Sequence, residues 1–271
     1  MTRVMNKKLI PVIIWPGIIC TVVLMSCNPP VADQQAQDRA IMDADKPVPD
    51  TTRILETLDL YRARRYEGIP EALDAGTEHV YKLVLYGQRM GSLSPDIGRF
   101  TYLQSLDIAL NELTELPREV SQLHYLQGFY ANGNALDEFP AQILLLPLLS
   151  RVDLSDNMIR EIPAGIAKMD QLTRLSLNNN SISDIPEQLF SLKNLSVLGL
   201  AGNNLIRISG SIGNLVNLEK LDLADNFLTD LPAEITLLSG SLIELNIRGN
   251  QITPEKVERL AEALPKTRIR Y

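Results

Sequence analysis

The sequence predicts an α/β solenoid: a curved right-handed coil with a parallel sheet on its concave face, short helical or extended segments on its convex face, and helical caps at both ends. Two observations predict this fold class. The pattern of residues 172–194 returns every 23 residues in both directions along the chain. Aromatic residues make up only 5% of the chain, while leucine and isoleucine dominate the apolar content, which suits a regular stacked core.

The repeating unit has the pattern L-x-x-L-x-L-x-x-N-x-L-x-x-L-P-x-x-I-x-x-L-x-x. Its eight copies begin at Val80, Leu103, Leu126, Leu149, Leu172, Leu195, Leu218 and Leu242. The unit resembles the leucine-rich repeat, and the resemblance covers residues 80–271. We therefore expect the repeats themselves over residues 80–252.

Each position of the unit has a physical reason. Leucines at positions four and six show strand alternation, with side chains directed inward. The asparagine at position nine can donate to and accept from backbone groups of a bend, as a buried amide must. The proline at position fifteen keeps the residue before it out of the helical region, so the return segment starts extended and then becomes a short helical turn. Apolar residues at positions eighteen and twenty-one complete the core.

Residues 51–79 are predicted to form a helical N-terminal cap. Its first helix is expected to carry one apolar face and to start at one of three capping residues. A second helix is expected over residues 70–75, with Pro70 at its first position and Gly76 ending it. The predicted face comprises Ile54, Leu55, Leu58 and Tyr61, and the capping candidates are Asp50, Thr51 and Thr52.

Residues 253–271 are predicted to form the C-terminal cap. A helix is expected over residues 254–264, with Thr253 as its N-cap and Pro254 at its first position. Residues 268–271 are expected to add a last edge strand. The apolar face of the predicted helix comprises Val257, Leu260, Ala261 and Leu264.

Residues 1–26 have the organisation of an export signal, with a basic start followed by an uncharged apolar run over residues 9–25. The run ends Leu24-Met25-Ser26-Cys27, which resembles the lipobox of bacterial lipoproteins. The resemblance implies lipidation (palmitate) at Cys27 and a lipid anchor in the cell envelope, and Asn28 implies the outer rather than the inner membrane. An uncleaved transmembrane anchor and an ordinary cleaved signal are the alternatives.

Residues 27–50 are rich in proline, aspartate, glutamine and alanine and have little to bury. We interpret them as a flexible lipid-anchored tether that holds the repeats away from the membrane.

Several function classes are disfavoured by the sequence. The net charge of −7 disfavours nucleic acid as a partner, because an acidic surface repels phosphate backbones. The folded region has no cysteine, and the chain has only two histidines, His79 and His124, and no common catalytic motif. Neither an enzyme, a cofactor nor a metal site is therefore predicted. Two acid pairs, Asp153 with Asp156 and Asp222 with Asp225, are interpreted as solvated surface rather than as calcium ligands.

Function is expected on the outward residues of the strands, at positions two, three, five, seven and eight, because these appear free of core constraints. Tyrosine and arginine there are the strongest candidates, since both types often dominate interface energies. The alternative is a solvated mixture of charges. We predict non-catalytic binding of a partner protein, with a glycan or cell-wall polymer as the second possibility. The candidate partner-binding residues are Tyr86, Tyr130, Arg151, Asp153, Arg174, Asn178, Lys220 and Asp222.

Overall fold

The computed structural model describes residues 54–271, which form one sheet of ten parallel strands ordered β1 to β10 as they occur in the chain. The predicted signal, Cys27 and the tether lie outside the described residues. Each strand pairs with the strand of the next repeat at the same repeat position. The strands are β1 Arg65–Tyr66, β2 Lys82–Val84, β3 Ser105–Asp107, β4 Gly128–Tyr130, β5 Arg151–Asp153, β6 Arg174–Ser176, β7 Val197–Gly199, β8 Lys220–Asp222, β9 Glu244–Asn246 and β10 Arg268–Arg270.

Short helical turns return the chain on the opposite side of the core. Three α-helices belong to the ends: α1 Thr57–Arg62, α2 Ile69–Asp74 and α3 Pro254–Ala263. None of the helices in residues 54–271 has both the length and the hydrophobicity that a bilayer span requires. The 3₁₀ turns are Thr77–His79, Pro95–Arg99, Arg118–Gln122, Ala141–Ile143, Ala164–Lys168, Glu187–Ser191, Gly210–Asn214 and Ala233–Leu238.

The core is the stacked interior predicted from the repeat. Leu175, Leu177 and Ile182 of the central repeat are completely buried, and so is Leu189 at position eighteen. The corresponding residues of the other repeats are buried in the same way, including every predicted residue at positions eighteen and twenty-one. Leucine-rich stacking therefore produces one continuous core along the whole sheet.

Proline at position fifteen starts the return segment as predicted. Pro186 has a φ of −67° and a ψ of 142°, extended values from which the following 3₁₀ turn begins. Ser209 replaces this proline in the sixth repeat and has almost the same backbone angles, −66° and 148°. Its hydroxyl accepts a hydrogen bond from the Ser211 backbone at 3.2 Å. This side-chain cap starts the 3₁₀ turn where the proline ring does so in the repeats that have this proline.

The asparagines at position nine form a ladder between repeats. The Nδ2 of Asn180 donates to the carbonyl of Leu177 in its own repeat and to that of Leu154 in the preceding repeat, both at 3.0 Å. Its Oδ1 accepts from the Ile159 backbone at 2.9 Å. The same three kinds of bond recur from Asn111 to Asn250. Each asparagine therefore joins its own coil to the one before it.

The N-terminal cap differs from its prediction. Helix α1 begins at Thr57, after Ile54 and Leu55, and its Leu58 and Tyr61 are 56% and 78% exposed. The predicted single apolar helix face is therefore wrong. The cap instead covers the first repeat with strand β1, whose Tyr66 is buried, because parallel pairing with β2 satisfies the backbone groups of that edge.

The second cap helix is close to its prediction. Helix α2 begins at Ile69, one residue early, and Gly76 beyond its end has a φ of 90°, a value that favours glycine. Gln88, which replaces the ladder asparagine in the first repeat, donates to the carbonyl of Glu67 at 2.6 Å. The glutamine side chain therefore ties the cap to the repeats.

The C-terminal cap agrees with its prediction to within one residue. Helix α3 follows Thr253 and ends at Ala263, and β10 pairs with β9 at the edge of the sheet. Val257, Leu260 and Leu264 are buried, but Ala261 is exposed, so its place in the packed face was predicted wrongly. Ala261 follows Leu260 by about 100° around the helix axis, which turns its methyl group away from the core.

Candidate functional site: a charged concave groove

The exposed face of the sheet carries a concavity of about 450 Å³ that extends from β4 to β10. We call it the concave groove. Of the eight candidate residues, seven line it, and they are Tyr130, Arg151, Asp153, Arg174, Asn178, Lys220 and Asp222. Tyr86 does not line the groove: it is 54% exposed at position seven of the first repeat, towards the N-terminal end.

Position three supplies the basic side of the groove. The strand register places Arg151, Arg174, Val197 and Lys220 in consecutive order across four neighbouring strands. We call Arg151, Arg174 and Lys220 the cation row. None of the ion pairs found among residues 54–271 includes a member of this row. No carboxylate of residues 54–271 lies within ion-pair distance of these cations, although the strand register places Glu244, which pairs with Arg270, beside Lys220.

Position five supplies an acidic row, Asp153 and Asp222, separated by Ser176 and Gly199. The Oδ1 of Asp153 accepts from the Ser155 backbone at 3.0 Å, and that of Asp222 accepts from the Ala224 backbone at 3.1 Å. One oxygen of each carboxylate therefore holds the turn that leaves the strand. The interpretation that these acids are free of folding constraints is wrong.

Asn178 has a structural role that the sequence did not reveal. Its Oδ1 accepts from the Ala201 backbone of the next repeat at 2.9 Å, and its Nδ2 donates to the Ser176 hydroxyl at 3.1 Å. At position five of that next repeat stands Gly199, whose added Cβ would lie 2.8 Å from the Asn178 amide. The asparagine thus caps the turn that an aspartate caps in neighbouring repeats.

Tyr130 is held close to the sheet. A Cβ added to Gly128 would lie 3.1 Å from the Tyr130 ring, so the ring folds over the glycine of its own strand. The ring is half-buried and lines the N-terminal end of the groove. Its position depends on a glycine at position three, a relation that becomes visible only when side-chain directions are known.

Position eight is constrained by the backbone in every repeat. All eight residues there have a φ between 51° and 69°, the left-handed region that favours glycine and tolerates asparagine and aspartate. The expectation that this position is free to specify a partner is therefore wrong. The residues are Gly87, Leu110, Gly133, Asp156, Asn179, Gly202, Asp225 and Gly249.

Side chains at position two also form hydrogen bonds that stabilise the fold. The hydroxyls of Ser150, Thr173 and Ser196 each donate to the backbone carbonyl at position two of the preceding repeat, at 2.9–3.2 Å. Position three is left as the outward position with the fewest internal bonds, and in the middle of the groove it is the cation row.

The structure adds Arg270 of β10 to the groove, a residue not among the candidates. Its guanidinium pairs with Glu244 at 2.6 Å, so these two charges neutralise each other. The sequence predicted an edge strand over residues 268–271 but not its place at the groove. The cation row and the acidic row therefore supply the lining charges that belong to no ion pair among the described residues.

The histidines lie away from the groove. His79 is exposed and 3.8 Å from Glu78. Burial lowers the pKa of His124, with a smaller opposing effect from a hydrogen bond at Ser121. Within the described part of the chain, no three or more histidine, cysteine, aspartate or glutamate residues are grouped so that they could hold a metal ion.

Comparison with known families assigns the repeats. The leucine-rich repeat model matches residues 147–206, and a two-copy leucine-rich repeat model matches residues 193–239. Together with the ten-stranded parallel sheet, these matches define the class: the chain is a leucine-rich repeat protein. No curated protein matches the sequence.

Solved structures share the architecture. A leucine-rich repeat protein of Leptospira interrogans is 30% identical with a TM-score of 0.59, and the match covers 70% of this chain and 52% of that one. This chain thus corresponds to about half of the Leptospira protein. The plant peptide hormone receptor RGFR1, solved in complex with RGF2, is 28% identical with a TM-score of 0.60, covering 69% and 31% of the two chains.

Internalin C2 from Listeria monocytogenes is 24% identical with a TM-score of 0.64, and the match covers 72% of this chain and 82% of the internalin. At this identity the likeness concerns the fold alone. The family matches and the Leptospira neighbour support a leucine-rich repeat solenoid, a fold that serves as an interaction scaffold in general.

Proposed function

We propose that this protein is a non-catalytic recognition scaffold that binds a partner protein in the concave groove while a lipid on Cys27 holds it at the bacterial cell envelope. The observation that carries the proposal is the cation row. Arg151, Arg174 and Lys220 occupy consecutive places around Val197 on an open sheet face, without an ion-pair partner among the described residues. Unpaired cations on a preformed concave surface are available to a ligand.

The charge of the groove contrasts with the rest of the molecule. Residues 54–271 contain 20 basic and 28 acidic residues, a balance of −8. A basic row on an acidic protein is a local feature that orients an approaching partner. RGFR1, a structural neighbour, was solved in complex with RGF2, which supports a polypeptide ligand for such a solenoid.

The groove favours a protein over a glycan. Its lining contains one aromatic ring, Tyr130, and that ring lies over Gly128. Sugar binding by stacking would need open ring faces, whereas unpaired guanidinium and ammonium groups suit carboxylates. A glycan remains the second outcome of the test.

The test is selection of random peptides on the immobilised full chain, purified in detergent, beside a glycan array. We expect peptides that lose binding when Arg174 is changed to glutamate. The matched control is Arg160→Glu, because Arg160 is exposed outside the groove and belongs to none of the ion pairs found in residues 54–271. Glycan binding without groove-dependent peptides would contradict the proposal.

The anchor is tested separately. Cells that express the chain are fed a palmitate analogue, and labelling of the wild type is compared with that of Cys27→Ala. We expect label only on the wild type. Equal labelling of both proteins would rule out the lipid anchor and leave the groove proposal unaffected. External protease on intact cells then reports whether the repeats face outward.

A further inference from the structure

We infer that the concave groove recognises an extended polypeptide segment of the form acidic–x–apolar–x–acidic, which crosses the strands above position three. The inference rests on the proposed function and specifies the chemistry of the partner. It is carried by the order of side chains along this position, which is Arg151, Arg174, Val197 and Lys220 on four consecutive strands.

The spacing of the strands sets the spacing of the ligand. Neighbouring strands lie about 4.8 Å apart, so Arg151 and Lys220 are about 14 Å apart across three intervals. An extended peptide rises about 3.4 Å per residue, and its first, third and fifth side chains point to the same side. Neighbouring members of this set are about 7 Å apart, so the first and fifth side chains are about 14 Å apart. This is nearly the distance between Arg151 and Lys220.

Placing the first side chain between the two arginines fixes the other two. The midpoint of Arg151 and Arg174 lies about 7 Å from Val197 and about 12 Å from Lys220 along the row. The third side chain then faces Val197, and the fifth falls about 2 Å beyond the Lys220 backbone, between Lys220 and Glu244. The four-carbon side chain of Lys220 reaches this point, and the Glu244 carboxylate is already paired with Arg270. An acidic first, an apolar third and an acidic fifth residue are therefore complementary.

The energetics agree with this assignment. A carboxylate between two guanidinium groups can form bidentate, charge-assisted hydrogen bonds. Neither arginine has to leave an ion pair with a described residue to form them. Val197 is half-buried and offers the only apolar side chain of position three between the cations, where an apolar ligand residue loses contact with water.

The acidic row restricts where the ligand can lie along the direction of the strands. Asp153 and Asp222 follow Arg151 and Lys220 by two residues along their strands, or about 7 Å. Carboxylates of a ligand that shifted sideways would approach these aspartates and be repelled. At the centre, the small residues Ser176 and Gly199 stand in place of the aspartates and leave room for the ligand backbone.

The test uses a synthetic peptide with blocked ends, acetyl-Gly-Glu-Ser-Leu-Ser-Glu-Gly-amide, titrated against the full chain in detergent and followed by isothermal titration calorimetry. The comparison peptide has the same composition with both glutamates adjacent. We expect the spaced peptide to bind about 10-fold more tightly, as for the loss of one charge-assisted hydrogen-bond pair. High salt should weaken the binding.

Variants of the chain locate the peptide. Arg174→Glu should weaken binding by about 10-fold or more, and Arg174→Ala by less, because the reversal adds repulsion to the lost bonds. Val197→Ser should reduce the preference for leucine over serine at the third position. The control Arg160→Glu should bind like the wild type, and circular dichroism of each variant checks that it is folded.

The outcomes separate this inference from the function on which it rests. Equal affinity for the spaced and adjacent peptides, or unchanged binding to Arg174→Glu, would overturn the motif. If the peptide selection still yields groove-dependent binders of another pattern, the proposed function stands. If neither experiment yields groove-dependent binding, both fail.

Discussion

At the residue scale, position eight shows how the backbone restricts a surface that appears free. Its left-handed conformation explains why glycine, asparagine and aspartate fill seven of the eight copies. Leu110 is the exception, with a φ of 51° and a side chain that is 48% exposed. The leucine is thus unfavourable both for its backbone and for its exposure.

Leu110→Asn is expected to stabilise the protein by about 1 kcal/mol, because asparagine tolerates the left-handed region at lower cost. Chemical denaturation of the full chain measures the change. The matched control is Ile206→Asn, which also replaces an exposed apolar residue but has no left-handed backbone and should change stability by less than about 0.5 kcal/mol. Equal gains for both variants would show that the backbone is not the cause.

In contrast to Leu110, the asparagines of the ladder are residues whose replacement should destabilise the protein. Asn180→Ala removes a side chain that satisfies the Leu154 and Leu177 carbonyls and the Ile159 N–H. We expect a loss of about 1–3 kcal/mol in the free energy of unfolding, because these backbone groups lose their bonds to the amide.

The control for the ladder is Asn217→Ala. Asn217 is exposed, and its one bond in the described structure runs to the Lys193 carbonyl at 2.8 Å. Its replacement should cost about 0.5 kcal/mol or less. If Asn180→Ala proved as mild as the control, water would have to replace the ladder bonds at no cost.

At the scale of elements, the C-terminal helix shows how a cap is attached. The Lys256 ammonium of α3 lies 2.9 Å from Asp230 of the preceding repeat and donates to the Thr229 carbonyl at 2.9 Å. The hydrogen bond from Lys256 is the largest cause that lowers the pKa of Asp230 below its ordinary value of 3.8. Burial of Val257 and Leu260 provides the rest of the attachment.

The lowered pKa predicts a pH dependence. The carboxylate binds protons more weakly in the folded chain than in the unfolded one, so its interaction stabilises the fold above the unfolded pKa. That contribution is lost as the pH falls below the ordinary value of 3.8 and through the lower pKa of the folded chain.

Lys256→Met should lower stability at neutral pH by less than about 1 kcal/mol, since the Asp230 side chain of the pair is 58% exposed. It should also reduce the loss of stability as the pH falls below the ordinary aspartate pKa of 3.8. Urea unfolding at several pH values measures both effects. Lys193→Met is the control, because the Lys193 ammonium bonds to the Asn214 carbonyl and not to an acid. A steeper acid loss in Lys256→Met would contradict the assignment.

At the scale of the whole molecule, stability is distributed along a stack of similar coils, each in contact with its neighbours. The central coils have a buried core and ladder bonds to both sides. The first cap helix has little of either, since Leu58 and Tyr61 of α1 are exposed. The ends should therefore open before the centre.

Native-state hydrogen exchange should show this gradient. We expect amides of α1 to exchange with opening free energies near zero and those of β6 to approach the global value. Ile182→Ala, which truncates a fully buried residue, should cost about 2–5 kcal/mol and lower protection in the neighbouring coils too. Equal protection of α1 and β6 would mean that the chain unfolds as a single unit.

Much of the fold is determined by the sequence alone, because each coil depends on local patterns. The leucines, the asparagine and the proline of one unit specify a strand, a bend and a return segment within 23 residues, as Leu175, Asn180 and Pro186 do. Repetition then specifies the stack, since no coil can bury its apolar side without a neighbour. Helix α3 was also predictable from its cap and its period.

The candidate site needed the tertiary structure, because its character depends on contacts between residues about 23 positions apart. Only the folded chain shows that Asn178 caps the turn after Gly199, that Asp153 and Asp222 hold their own turns, and that position eight is left-handed. It also shows that Leu58 and Tyr61 of α1 are exposed. Sequence spacing determines which residues face outward, but the bonds between coils decide which of them also serve the fold, as Asn178, Asp153 and Asp222 do.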